Sequence, residues 1–348
     1  MSMLNNVKPN EVTADALKYK QLIAGRPKSG KTSLFHGVVK IKYDGDMSKG
    51  LLVAFEKGYQ ALNGIHAVDI KEWEDFQELV EELVDNKDEV SYESIALDTI
   101  DILIKRATTY MLNKESIADK KRYSAVNDIP WGKGYELLER TVADEVDKLE
   151  QAGYNLFFIT HDKDKTMTTR EGLEYNKTVI SASGRGGDYF RNSADMITFI
   201  ELTKEVEKGK KVDKRYIYFR GDADMEAGSR FEHLPVRVEY DPQKFVDAIE
   251  DAIRAEYGGD EKKVDKAKKE QAKEELKEAK EEEKAEKEAE NSVDELMSDL
   301  DAKISKLTKA KKTKLAKELK AEFETANYKK MDSVEDLEKV VGIVDNLG

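Results

Sequence analysis

Two apolar periodicities alternate along the first two-thirds of the chain. Short runs rich in β-branched and aromatic residues at 21–24, 51–55, 67–70, 94–98, 155–160, 196–202, 215–220 and 236–240 predict strands. Between them, 72–86 and 135–152 carry apolar residues at helical spacing, and in the second Leu138, Val142, Val146 and Leu149 form one stripe that stops at Gly153. Strands alternating with helices predict an α/β fold, a mainly parallel sheet covered by helices. The pattern places this core at 1–257.

It then breaks. Residues 258–291 are Lys, Glu and Ala with almost no large apolar side chain except Val264 and Leu276. Such a stretch buries no core, and it has no apolar seam for a coiled coil, so it predicts a solvated, partly helical linker. Apolar spacing resumes at Leu296, Leu300, Ile304 and Leu307, again at Leu315, Leu319 and Phe323, and again at Val334, Leu337, Val341 and Val344. This predicts a small three-helix module over 292–348, with Ser333 and Asp336 spaced as a capping box for its last helix.

Charged residues make up 38% of the 348 positions, well above the usual quarter or so, which agrees with a long solvated segment. The net charge of −13 excludes indiscriminate binding of polyanions, so any grip on nucleic acid must be local. There is no cysteine, and the four histidines (His36, His66, His161, His233) are far apart. Disulfides, thiolate zinc sites and cysteine nucleophiles are excluded, and little is left for a transition metal. No apolar run approaches the roughly 20 residues of a membrane span, and residues 1–10 lack a signal-peptide core; a soluble, cytoplasmic protein is expected.

The sharpest chemical signal is Gly25-Arg26-Pro27-Lys28-Ser29-Gly30-Lys31-Thr32, a full G-x-x-x-x-G-K-[ST] match placed after a predicted strand and before a helical run that opens at Ser33. Backbone amides of such a loop, with the positive end of the next helix, cradle phosphates. Lys31 adds a mobile charge for the outer phosphates and Thr32 a hydroxyl for Mg²⁺. Ligands in open α/β sheets sit at the carboxyl ends of strands. The strand at 94–98 ends in Asp98, the expected holder of Mg²⁺, with Asp101 as an understudy. The strand at 51–55 is followed by Glu56, which is either the group that activates water or an ordinary exposed acid. The strand at 155–160 is followed by His161, either a γ-phosphate sensor or a solvated loop histidine.

This order of parts resembles the RecA-like ATPases, and within them the phage-encoded ATP-binding single-strand annealing proteins of the Sak-four group. The resemblance covers about residues 18–249 and includes Trp131-Gly132-Lys133-Gly134-Tyr135, Gly186-Gly187-Asp188-Tyr189-Phe190, and Arg220-Gly221 with Ala227-Gly228-Ser229-Arg230-Phe231. It implies ATP and Mg²⁺ as cofactors, Glu56 as the water-activating residue, and His161 where recombinases carry a polar switch, usually Gln. A histidine there departs from the recombinases. It also implies that Arg220 and Arg230 reach a neighbouring subunit's γ-phosphate in a homo-oligomer, the alternative being surface salt bridges.

Two segments suit a single DNA strand. Over 99–134, Lys105, Arg106, Lys114, Lys120, Lys121, Arg122 and Lys133 outnumber the acids, and Tyr110, Tyr123 and Trp131 interleave with them. A solvated helix pair is the other reading. The second segment, 162–188, carries Lys163, Lys165, Arg170, Lys177 and Arg185 among Thr, Ser and Gly, and predicts a long loop with little fold of its own. The function expected is a DNA-dependent ATPase that anneals single strands, its C-terminal module recruiting a single-strand-binding protein or a nuclease. The alternatives are a P-loop motor or loader acting on a replication protein, and a nucleotide-gated binding module with negligible turnover.

Overall fold

The structure, a computed structural model, describes residues 12–207, 210–305, 307–323, 328 and 334–347. All the expected strands are present, as β1 (Gln21–Gly25), β2 (Gly50–Ala54), β3 (His66–Asp69), β4 (Ser94–Asp98), β5 (Asn155–Thr160), β8 (Met196–Glu207), β9 (Lys210–Tyr218) and β11 (Arg237–Glu239). With β10 (Gly228–Ser229) they form one sheet in the order β11-β9-β8-β1-β5-β4-β2-β3, β10 pairing with β8. β1 to β5 and β8 run parallel, while β9 and β10 are antiparallel to β8.

The central strands are buried on both faces, which is why they read as continuous apolar runs rather than alternating ones. Their side chains still alternate between two layers, as the pleat requires. Leu22, Val53 and Phe158 face Trp73, Phe76 and Phe190 under α2 (Trp73–Asp85), α3 (Ile100–Ala118), α4 (Lys133–Gln151) and α5 (Gly184–Ser193). Ile23, Leu52 and Phe157 face Phe35 and Phe245 under α1 (Lys31–Lys42) and α6 (Pro242–Glu256). The result is the expected α/β architecture with a mainly parallel sheet.

One expectation is corrected and one is extended. Residues 162–188 are not a structureless loop: β6 (Asp162–Thr168) and β7 (Glu174–Ile180) pair antiparallel over seven positions, and α5 follows. The hairpin satisfies its backbone through its own ladder while its outer residues stay in water, so it needs no apolar pattern along its length. Val179, Ile180 and Ala182, at its root, enter the core. The charged stretch is helical, as expected, but more fully than in part, since α7 runs from Glu261 to Ser305. Lys, Glu and Ala are strong helix formers, and a helix of this composition needs no buried face to persist as secondary structure.

The chain divides into two compact units, Met1–Lys268 and Lys269–Gly348. The first extends past residue 257 because Ala267 is buried and Val264 packs on the same core as Phe245. In the second, α8 (Lys309–Phe323) and α9 (Val334–Leu347) join the end of α7 around Leu300, Leu315, Leu319, Leu337, Val340 and Val344. Ser333 lies outside the described residues. Among the described residues no helix is long and apolar enough to cross a membrane.

Candidate nucleotide site

β1 ends at Gly25, and the chain turns over the end of the sheet before α1 starts at Lys31. Lys28 (φ 66°) and Gly30 (φ 103°) take left-handed conformations that curl the loop into a nest of amides. Only glycine fits at position 30: a Cβ there would meet Tyr240 Oη at 2.6 Å. The Tyr240 hydroxyl donates to the Gly30 carbonyl at 2.7 Å, and the Arg215 guanidinium lies 5.0 Å from the Tyr240 ring centre. No side chain caps the N-terminus of α1, and Ser29 Oγ is buried without a hydrogen-bond partner. Unclaimed donors converging at a helix N-terminus fit a phosphate chain.

Lys31 is buried and donates from Nζ to the carbonyls of Gly25 (2.8 Å) and Arg26 (3.1 Å). Burial lowers its pKa, while Asp98, Asp162, Glu56 and Asp101 act the other way. The Thr32 hydroxyl donates to Asp98 Oδ2 at 2.6 Å. Asp98 is 5% exposed; burial raises its pKa, and the Thr32 hydrogen bond pulls it back. A hydroxyl and a carboxylate side by side suit a hard cation such as Mg²⁺, whose other oxygens would come from phosphates and water. Among the described residues there is no group of three or more acids and histidines able to hold a metal by itself.

β5 lies between β1 and β4, so His161, just past its end, stands between the phosphate loop and Asp98. Its Nδ1 is 3.3 Å from Lys31 Nζ, and its Nε2 is 3.4 Å from Glu56 Oε1. Glu56 is brought there because the Phe55 amide donates to the Asp98 carbonyl at 2.7 Å, which carries β2 one residue beyond its last paired position. The structure thus gathers Lys31, Thr32, Glu56, Asp98 and His161 at the carboxyl ends of the central strands. Glu56 keeps 43% of its side chain exposed.

Asp101 is not a second metal acid. Its carboxylate accepts from Thr160 Oγ1 (2.8 Å), the His161 amide (3.1 Å) and the Ser181 hydroxyl. Arg26 turns away from Lys31 toward the hairpin, reaching Asp164 at 2.8 Å and Asp162 at 3.4 Å. Beyond it a cavity of about 540 Å³ opens among Pro27, Lys28, Ser29, Glu201 and Arg215. The sequence places Asp101 at the site only as an understudy for the metal, and nothing local in it points to Arg215 or Tyr240.

The remaining predicted residues lie elsewhere. Lys163 donates to the Ser181 carbonyl at 2.9 Å, and Lys165 and Arg170 are exposed on the hairpin. Arg185 is in the first turn of α5, 3.3 Å from Glu139, rather than in a loop. Lys121 lies 5.1 Å from the ring centre of Tyr123, which is itself buried, and Arg122 is exposed. Of the three aromatics proposed for that surface, Trp131 alone is fully exposed. Arg220 is exposed past β9; Arg230 pairs with Asp195 at 3.3 Å, beside the start of β8 and so at the opposite end of that strand from the phosphate loop.

A prophage-derived uncharacterized protein, YorG of Bacillus subtilis (strain 168), is 26% identical over 220 residues, a region covering 62% of each chain. The chain therefore matches less than two-thirds of that relative's length. The crystal structure of a KaiC-like protein from the archaeon Pyrococcus horikoshii OT3 aligns at 15% identity and a TM-score of 0.34, covering 64% of this chain and 90% of that one. The AAA domain family AAA_24 matches residues 17–231, a span that holds the phosphate loop, Glu56, Asp98 and His161. With more than half of its length matched, the chain belongs to this AAA domain family of P-loop NTPases.

Proposed function

We propose that the chain hydrolyses ATP with Mg²⁺ and uses the nucleotide to control its hold on single-stranded DNA, in strand annealing during phage recombination. The loop amides and Lys31 hold the phosphates, and Thr32 and Asp98 hold the cation, which when bound neutralises charge on the transferring phosphoryl group. Glu56 takes the proton of the water that attacks the γ-phosphorus, while His161, between Glu56 and Lys31, reads whether that phosphate is present. The prophage relative supports a phage setting.

The observation that carries the DNA reading is the hairpin rooted at His161. Lys165 stands directly across from Lys177 in its ladder, an arrangement of like charges that costs stability unless an anion is shared between them. Both lysines line a cavity of about 620 Å³ with Lys163 and Ser183, and with Asp188 and Glu226, which pair with Arg191, and Asp164, which pairs with Arg26. Phosphates of a single strand would settle there, and the exposed Trp131 offers a face for a base.

ATPase rate with and without single-stranded DNA tests this, beside Lys31→Ala and Glu56→Gln. Stimulation by DNA that both variants abolish supports the reading. Replacing Lys165 and Lys177 together by Ala should weaken DNA binding and flatten its salt dependence by about 1.4 in log–log slope. Turnover indifferent to DNA, or equal to that of Lys31→Ala, refutes it.

A further inference from the structure

Asp101 occupies the first turn of α3, where an acid supports the helix dipole in any case. Its hydrogen bonds show a different role, because all three donors come from outside the helix. Oδ2 takes the Thr160 hydroxyl at 2.8 Å and the His161 amide at 3.1 Å, and Oδ1 takes the Ser181 hydroxyl. The Ser181 amide in turn donates to the His161 carbonyl at 2.8 Å. The first ladder pair of the hairpin is Asp162 with Ile180, so His161 and Ser181 are the two strands' roots, and one carboxylate clasps both.

The geometry points to Asp101 as the positioning residue of the site, holding the His161 imidazole between Lys31 and Glu56 and making that placement depend on the closure of the β6–β7 hairpin. The inference rests on the reading of this site as an ATPase. A carboxylate accepts from all three at once, whereas an amide of the same shape would turn its N–H groups toward one side, and the Ser181 hydroxyl would then have to accept instead of donate, loosening the clasp. A ligand that shifts the hairpin must carry Ser181 with it, and through Asp101 the shift reaches His161. By reciprocity, nucleotide at the phosphate loop changes the hairpin's affinity for its ligand by the same factor.

The test uses Asp101→Asn and Ser181→Ala in the full chain. The four histidines give four ring signals in ¹³C-histidine NMR, and His161→Gln identifies the one that matters. Asp101→Asn should move the His161 signal and leave the other three, lower kcat by about ten- to a hundred-fold through misplacement, and change KM for ATP less than about two-fold. Ser181→Ala should shift the same signal, and its effect on kcat should not add to that of Asp101→Asn. An unmoved His161 signal in folded Asp101→Asn overturns the inference. So do shifts of all four signals with kcat and melting temperature falling and KM rising together, since that marks a structural role only. If the wild type turns over no faster than Lys31→Ala, the ATPase reading fails instead, while the histidine signals still decide where Asp101 acts.

Discussion

Replacing Asp98 by Asn should stabilise the protein while disabling its site. At 5% exposure the Asp98 carboxylate is largely stripped of water, and burial, aided by Glu56, raises its pKa above the ordinary carboxylate value; the Thr32 hydroxyl, Lys31 and His161 oppose this without cancelling it. A raised folded-state pKa means that the group's contribution to stability is fully present below the unfolded value and is lost as pH rises through the folded one. At neutral pH the ionised carboxylate is therefore a cost. Asn keeps the shape and an oxygen to accept from Thr32, and removes the charge. Replacing buried ion pairs by neutral side chains relieves about 1–4 kcal/mol, and only the low end, about 1–2 kcal/mol, applies here because Lys31 keeps its charge. At about 2–4 °C per kcal/mol for a unit of this size, the melting temperature should rise by about 2–8 °C. Scanning calorimetry in EDTA at pH 7.5 measures the difference, which should shrink as pH is lowered toward the carboxylate range. With Mg²⁺ and ATP at a hundredfold over Kd the wild type should gain about 2.7 kcal/mol that the variant does not. A variant that melts below the wild type in EDTA would mean that attraction to Lys31 outweighs the desolvation of Asp98.

Other substitutions probe the same arrangement. Gly30→Ala, with its φ of 103° and a Cβ 2.6 Å from Tyr240 Oη, should lower stability by at least about 1 kcal/mol and weaken nucleotide binding; calorimetry and fluorescent-nucleotide titration would read both. Trp131→Ala should leave the melting temperature nearly unchanged, because the side chain is fully exposed, yet cost about 1–3 kcal/mol in single-strand binding measured by anisotropy. Truncation after Lys268 should keep nucleotide affinity intact, whereas truncation after Tyr257 should lower thermal stability by removing Val264 and Ala267 from the core; equal melting curves for the two fragments would contradict this.

The strands of the main sheet were legible because burial on both faces demands continuous apolar runs, and the phosphate loop because amides, lysine and hydroxyl must follow one another along the chain. Asp98 and Glu56 were legible for a related reason, as acids at the ends of such strands. The hairpin was not, since Lys163, Lys165 and Lys177 belong to a ladder that faces water and leaves no period in hydrophobicity. Asp101 looked like a spare metal acid because its partners Thr160 and Ser181 are set by the tertiary fold. The helix through 261–305 was underestimated because its sequence lacks the buried face on which periodicity arguments depend, while propensity alone extends it.

The strut from Tyr240 to Gly30 joins residues 210 apart. A nascent chain therefore emerges with its nucleotide motif long before the tyrosine that braces it, and the loop must wait, open, for most of synthesis. A ribosome-bound fragment that stops short of residue 240 should therefore hold the motif without its brace and bind nucleotide more weakly than the full chain.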